Sequence, residues 1–181
     1  MKREIYKQIE IPEGVTVQIA EGKINLKGPA GENTRTFETQ GLEFKINGKE
    51  ILIGDKKATK NEKKRIHTIA AHIENLIKGV KEKFMYKIKI CYHHFPMTIE
   101  IKGNKAFIKN YLGEKIPRVA NIIPGTEIKV EKEIITITSV DKELAGQTAA
   151  NLETATKVND KRDRRVFQDG IYITSKAGKL I

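Results

Sequence analysis

The chain reads as an α+β protein, a tandem duplication of two similar small domains, each an antiparallel sheet packed against a helix. Three observations predict this. Short segments of alternating apolar and polar residues are separated by glycine-containing turns, and they then give way to a run with helical spacing. That succession occurs twice. The two occurrences also align: VQIAEGKINLKGPAGENTRTF at 17–37 can be written over IEIKGNKAFIKNYLGEKIPRV at 99–119 without a gap, pairing Ile19 with Ile101, Leu26 with Ile108 and Gly31 with Gly113. With small gaps, Phe44 and Ile46 then correspond to Ile128 and Val130, and Ile69–Ile73 to Thr148–Leu152. Shared architecture without common origin would give the same order of elements. The coincidence of turn positions at a repeat of about eighty residues favours duplication.

Taken in order, residues 1–14 are a polar lead in which Ile5, Ile9 and Ile11 predict an edge strand ended by Pro12 and Gly14. Val15, Val17 and Ile19, then Glu21-Gly22, then Ile24 and Leu26 predict a hairpin with one buried face, stopped by Gly28-Pro29. A second hairpin follows, with Leu42, Phe44 and Ile46 on one arm, Ile51 and Ile53 on the other, and Asn47-Gly48 between them predicting a type I′ turn. Ile66, Ile69, Ala70, Ile73, Ile77 and Val80 then fall at helical spacing, and Thr59 with Glu62 fits a capping box. The first domain is placed at 1–82 and the second at 83–181.

The second domain opens on FMYKIKICYHHF at 84–95, where Phe84, Tyr86, Ile88, Ile90 and Tyr92 are expected on one strand face and Lys87 and Lys89 on the other. Its helix is expected over 141–156, capped by Asp141 and burying Leu144, Thr148, Leu152 and Ala155. Gly146 inside that helix costs roughly 1 kcal/mol relative to alanine, which close packing on the sheet would explain. A charged loop comes next and closes on the short strand Ile171-Tyr172-Ile173. The first copy has no counterpart to this extension.

Composition narrows the function. Thirty-four Lys and Arg against 23 Asp and Glu give a net charge of +11, with 16 basic and 12 acidic residues in 1–82 and 18 and 11 in 83–181. Such an excess favours polyanionic partners, and the second half carries the stronger field. Cys91 is the single cysteine, so no disulfide forms within the chain and a reducing, cytoplasmic setting is expected. No segment approaches the roughly 18 consecutive apolar residues of a membrane span, and a membrane partner is not expected.

Catalytic and metal chemistry find little support. Cys91, His93 and His94 lack paired ligand spacing, since neighbouring strand residues point to opposite faces, and His67 and His72 have no carboxylate at metal-site spacing. No GxSxG, Walker loop or GxGxxG occurs, so neither an enzyme, a cofactor nor a small-molecule substrate is expected. The basic stretch KKATKNEKKR at 56–65 is a solvated helix start or a secondary anion site. Between Lys157 and Lys179 seven basic residues face three acidic ones, and Arg162, Arg164 and Arg165 suit bidentate phosphate contacts. The alternative there is a surface loop balanced by Asp160 and Asp163. At the level of function, the alternative is a basic interaction module that binds acidic protein segments.

SVDKELAGQTAANLETAT at 139–156, followed by DKRDRRVFQDGIYITSKAGK at 160–179, closely resembles the large-subunit ribosomal protein six family, and the resemblance covers the whole chain. The form RVFQDGIY at 165–172 is similar to the archaeal and eukaryotic branch, where bacterial members carry a proline, a tyrosine and a Lys-Gly-rich loop. The resemblance implies a duplicated α+β fold and a structural, non-catalytic component of the large ribosomal subunit. It further implies contact with large-subunit rRNA near the sarcin-ricin loop and the factor-binding side at the stalk base, with neighbouring ribosomal proteins as further partners. Carried onto matching positions, Lys142, Gln147, Asn151, Lys157, Lys161, Arg162, Arg164, Arg165, Lys176 and Lys179 are expected to face RNA. Phosphate and sugar contacts with recognition of RNA shape are the expected mode.

Overall fold

The chain divides into two units, Met1–Lys83 and Phe84–Ile181. A computed structural model describes residues 3–20, 22–38, 41–158, 163 and 165–181.

In the first unit the strands are β1 (Arg3–Glu10), β2 (Thr16–Ala20), β3 (Lys23–Gly28), β4 (Gly31–Thr36), β5 (Glu43–Asn47) and β6 (Glu50–Ala58), followed by helix α1 (Lys60–Lys81). They form two antiparallel three-stranded sheets, ordered β1-β6-β5 and β2-β3-β4. Period-two alternation drives both: Ile24 and Leu26 on β3 and Ile51 and Ile53 on β6 are fully buried, each such side chain contributing roughly 1.5–3 kcal/mol. Helix α1 packs against β1 and β6 and also against β3 and β4, so the apolar faces of both sheets meet its stripe. All six residues of the predicted stripe are buried, and Leu76 joins them.

Both ends of α1 are tied down. Thr59 and Glu62 form the predicted capping box, the Glu62 carboxylate accepting from the Thr59 backbone N–H at 2.8 Å and from its hydroxyl. At the other end the backbone N–H of Ala30 donates to Val80 O at 2.8 Å. That approach requires Gly28, because a Cβ there would lie 2.6 Å from the same carbonyl oxygen.

The second unit repeats the plan with β7 (Phe84–Cys91), β8 (Thr98–Lys102), β9 (Lys105–Lys109), β10 (Arg118–Asn121), β11 (Glu127–Glu131), β12 (Ile134–Ser139) and α2 (Lys142–Ala155). A 3-10 turn at Tyr111–Gly113 joins β9 to β10. The meander β8-β9-β10 reproduces β2-β3-β4, and β7-β12-β11 reproduces β1-β6-β5. The predicted equivalents Leu26 and Ile108 are both fully buried. The fold is therefore the tandem α+β duplication that the repeat predicts.

The copies differ at one edge. In the second unit β13 (Gly170–Lys176) and β14 (Lys179–Leu180) add to the free side of β7, giving a five-stranded sheet ordered β11-β12-β7-β13-β14. Tyr86, Ile88 and Ile90 of β7, Ile135 and Ile137 of β12, and Ile171 of β13 form one core with Ala145, Ala149 and Leu152 of α2 and with Ala106, Ile108, Tyr111, Ala120 and Ile122 around the meander.

Four expectations need correction. Strand β7 ends at Cys91, so Tyr92 leaves the strand face and stands 43% exposed. Helix α2 buries Ala145, Thr148, Ala149 and Leu152, while Leu144 and Ala155 are only partly covered, because the meander packs against a second flank of the helix. The turn between β5 and β6 has Gly48 and Lys49 at its centre, with positive φ only at Gly48. Glycine at the first central position is the type II′ signature, whereas type I′ needs positive φ at both. The closing strand, expected as three residues, runs the full Gly170–Lys176 because it has β7 to pair with.

Candidate nucleic-acid interface

Alternate residues of a strand share a face, and so do residues directly opposed across an antiparallel pair. With Tyr86, Ile88 and Ile90 turned towards α2, the intervening Met85, Lys87 and Lys89 occupy the outer face of the five-stranded sheet. Register carries that face across the sheet. Lys87 opposes Thr136, which opposes Lys129, and Lys89 lies between Ile134 and Tyr172. Beyond a bulge between Ile173 and Ser175, where Ser175 comes to oppose Lys87, Lys176 is directly opposed by Lys179. Lys87, Lys89, Lys129, Lys176 and Lys179 are all exposed. None has an ion-pair partner among the described residues. Glu127 and Glu131 of β11 are the carboxylates at the rim of this face.

Of the ten predicted residues, the seven that the structure describes are not brought together. Lys176 and Lys179 oppose each other in the added hairpin. Lys142 begins α2, right after the Asp141 cap, with its Nζ 6.0 Å from the centre of the Phe84 ring. Gln147 is exposed and donates to Asn151 Oδ1 at 2.9 Å, while Asn151 Nδ2 donates to the carbonyl of Asn121 at 2.9 Å. Asn151 thus ties α2 to the end of β10. Lys157 is exposed just beyond the helix. Arg165 is 90% exposed but forks onto Asp163, with Nη2 2.9 Å from Oδ2 and Nε 3.1 Å from Oδ1. This hydrogen bonding holds the Asp163 carboxyl below the usual carboxylate range. The predicted balancing of this loop by Asp163 is therefore present at Arg165. Lys161, Arg162 and Arg164, with Asp160, lie outside the described residues.

Tyr172 is positioned by its neighbours. Its hydroxyl donates to Gln168 O at 2.8 Å, and burial pushes its pKa above the ordinary tyrosine value, which keeps that donor protonated. The ring packs over Gly170, where a Cβ would stand 3.1 Å from it. Tyr172 nonetheless remains 41% exposed. Next to Gly170, Asp169 is almost fully buried, its Oδ1 accepting from the His93 backbone N–H at 3.0 Å, with His94 Nδ1 4.0 Å away. A pocket of about 420 Å³ lined by Cys91, Tyr92, His93, Gln168, Asp169 and Tyr172 opens here. Among the described residues no group of three His, Cys, Asp or Glu side chains is placed to hold a metal ion.

Sequence reading missed three things. Lys129 belongs to the face only because β11 is two strands from β7. Asp169 reads in the sequence as one more loop charge, although its place before Gly170 is what joins loop and sheet. Arg118 holds the C-terminal end of α2: its Nη1 donates to Ala155 O at 3.0 Å, while the guanidinium stacks 4.1 Å from the Tyr111 ring centre and pairs with Glu114. The alternation of Lys87 and Lys89 with buried residues was the available signal for the outer face, but alternation does not reveal which strands become neighbours.

Together these features define a duplicated α+β protein whose second copy carries an added hairpin and a basic sheet face. The profile of the family described as Ribosomal protein L6 matches residues 11–83 and 95–170. Similar along nearly their whole length are three proteins named large ribosomal subunit protein uL6. That of Methanosarcina mazei is 43% identical over 177 residues, covering 98% of this chain and 100% of the relative. The Methanococcus vannielii protein is 43% identical with 98% and 97% covered, and the Methanocella arvoryzae protein 42% identical with 98% and 100% covered. The chain belongs to the ribosomal protein L6 family.

Proposed function

We propose that this chain is a structural, non-catalytic constituent of the large ribosomal subunit that binds large-subunit rRNA through its second unit and packs against neighbouring ribosomal proteins in the cytoplasmic ribosome. Within that reading, the second unit lies near the sarcin-ricin loop and the factor-binding region at the stalk base. Membership of the family and the names of the archaeal relatives support the assignment to the subunit. The observation that carries the RNA part is the opposition of Lys176 and Lys179 in the hairpin that only the second copy has. Like charges directly opposed in a sheet destabilise it, and a bound phosphate turns that repulsion into attraction. Lys142, Gln147, Lys157 and Arg165 contribute further contacts from the helix side, together with Lys161, Arg162 and Arg164, whereas Asn151 acts through its bond to Asn121.

Sedimentation of cell lysate tests the proposal. The protein is expected with the large subunit after a moderate-salt wash. Recovery in the free fractions at the top of the gradient overturns the reading.

A further inference from the structure

We propose that the outer face of the five-stranded sheet is a platform for unpaired RNA, on which Lys87, Lys89 and Lys129 hold phosphates while a base stacks on the exposed ring of Tyr172. The inference rests on the RNA-binding reading above and names the surface and the kind of RNA that it takes.

Three physical features converge on this face. First, its lysines are clustered and make no ion pair among the described residues. Lys87 and Lys89 sit about 7 Å apart along β7, and Lys129 lies about 10 Å from Lys87 across Thr136. Three exposed lysines on one side of one sheet repel one another, and an anion that bridges them relieves the repulsion. Second, α2 covers only the other face, which is why the outer positions of β7, β12 and β13 hold Met85, Ile134 and Tyr172 half-exposed beside the lysines.

Third, the face holds an aromatic ring that is already oriented. Tyr172 is fixed at one end by its bond to Gln168 and backed by Gly170, so little side-chain freedom is lost when a base settles on it. Lys89 stands directly opposite, placing a cation beside the stacking site. Lysines that track a backbone next to a stacking ring are the components of single-strand recognition. A duplex keeps its bases stacked internally and leaves the ring unused, and an acidic polypeptide answers the lysines but not the ring. Glu127 and Glu131 flank Lys129 on the same face of β11 and confine a phosphate there to the position between them.

The test measures binding of the full chain to a short unpaired RNA of mixed sequence, to duplex RNA of equal length and to polyglutamate, each over a range of salt. For the variant carrying Lys87→Ala, Lys89→Ala and Lys129→Ala, the slope of log affinity against log salt should fall in magnitude by about 2, at roughly 0.7 for each lost single-strand phosphate contact. Tyr172→Leu should weaken binding of the unpaired RNA by roughly 5- to 150-fold and leave polyglutamate binding unchanged, and Tyr172→Phe should restore most of the loss. Retained urea midpoints show that the variants are folded. An unchanged salt slope, equal binding of duplex RNA, or equal loss on polyglutamate overturns the platform. If wild-type protein binds large-subunit RNA while the variants behave like it, only this inference falls; if wild-type protein binds no RNA, the RNA-binding reading falls with it.

Discussion

The guanidinium of Arg118 forks onto the carboxylate of Glu114, with Nε 2.8 Å from Oε2 and Nη2 2.7 Å from Oε1, and its remaining nitrogen caps α2 at the Ala155 carbonyl. One side chain thereby joins the loop after the 3-10 turn, the start of β10 and the end of the helix. Lysine cannot replace it, because a point charge offers no fork and no planar face for Tyr111. Arg118→Lys is expected to destabilise the second unit by about 1–3 kcal/mol in urea unfolding. A double-mutant cycle with Glu114→Gln should return a coupling well above experimental scatter. Additive effects would show that the two side chains act independently.

Acid stability depends partly on Glu62. The hydroxyl and then the backbone N–H of Thr59 hold its carboxyl below the ordinary glutamate range. Because the folded pKa is the lower one, the stabilisation is complete above the unfolded value of about 4.3 and disappears as pH falls through the folded value. Glu100 is held low by Lys109, and Glu43 by Lys45, so they act in the same direction. Glu62→Gln keeps an acceptor for the capping box but does not titrate. Its urea midpoint should fall less steeply than the wild-type midpoint below pH 4.3. An identical acid limb would remove Glu62 from the account.

Gly28 can be tested by adding one carbon. Alanine there meets the Val80 carbonyl at 2.6 Å and must push the β3-β4 turn away from the end of α1. Gly28→Ala is expected to cost about 1–3 kcal/mol, as overpacking does. Hydrogen exchange at the Ala30 amide, whose partner is that carbonyl, should accelerate more than exchange at the amides of β6.

Asp169 is expected to matter through the His93 amide. Asp169→Ala leaves that N–H without its acceptor and should destabilise the second unit by about 1–3 kcal/mol. Asp169→Asn retains a carbonyl oxygen and should preserve much of the protection of the His93 amide. Equal loss in both variants would mean that charge, rather than the acceptor, holds the loop.

Local rules made much of the fold legible. Alternation exposed the hairpins, side-chain spacing exposed α1, Thr59 and Glu62 announced the cap, and the repeat of turn positions announced the duplication. The departures all arise where distant segments meet. Tyr92 continues the alternation of β7 in sequence, yet the strand stops at Cys91, where Gly170 pairs with it and Asp169 holds His93. Leu144 fits a one-sided helix, but the meander gives α2 a second packed flank. The candidate site was half legible for the same reason. Lys176 and Lys179 stand out by charge, whereas Lys87, Lys89 and Lys129 come onto one face only through the strand order β11-β12-β7.

The placement of β13 beside β7 also has a consequence for synthesis. Thr174 bonds to Lys87 across 87 residues of sequence. At ordinary translation speeds roughly 4–17 s separate the emergence of the two strands. Throughout that interval β7 presents an open hydrogen-bonding edge, flanked by Ile88 and Ile90, with no native partner yet made on that side. The lysines at 87 and 89 therefore serve the nascent chain before they serve the mature one, since charge along an unpaired edge discourages pairing with a second nascent strand.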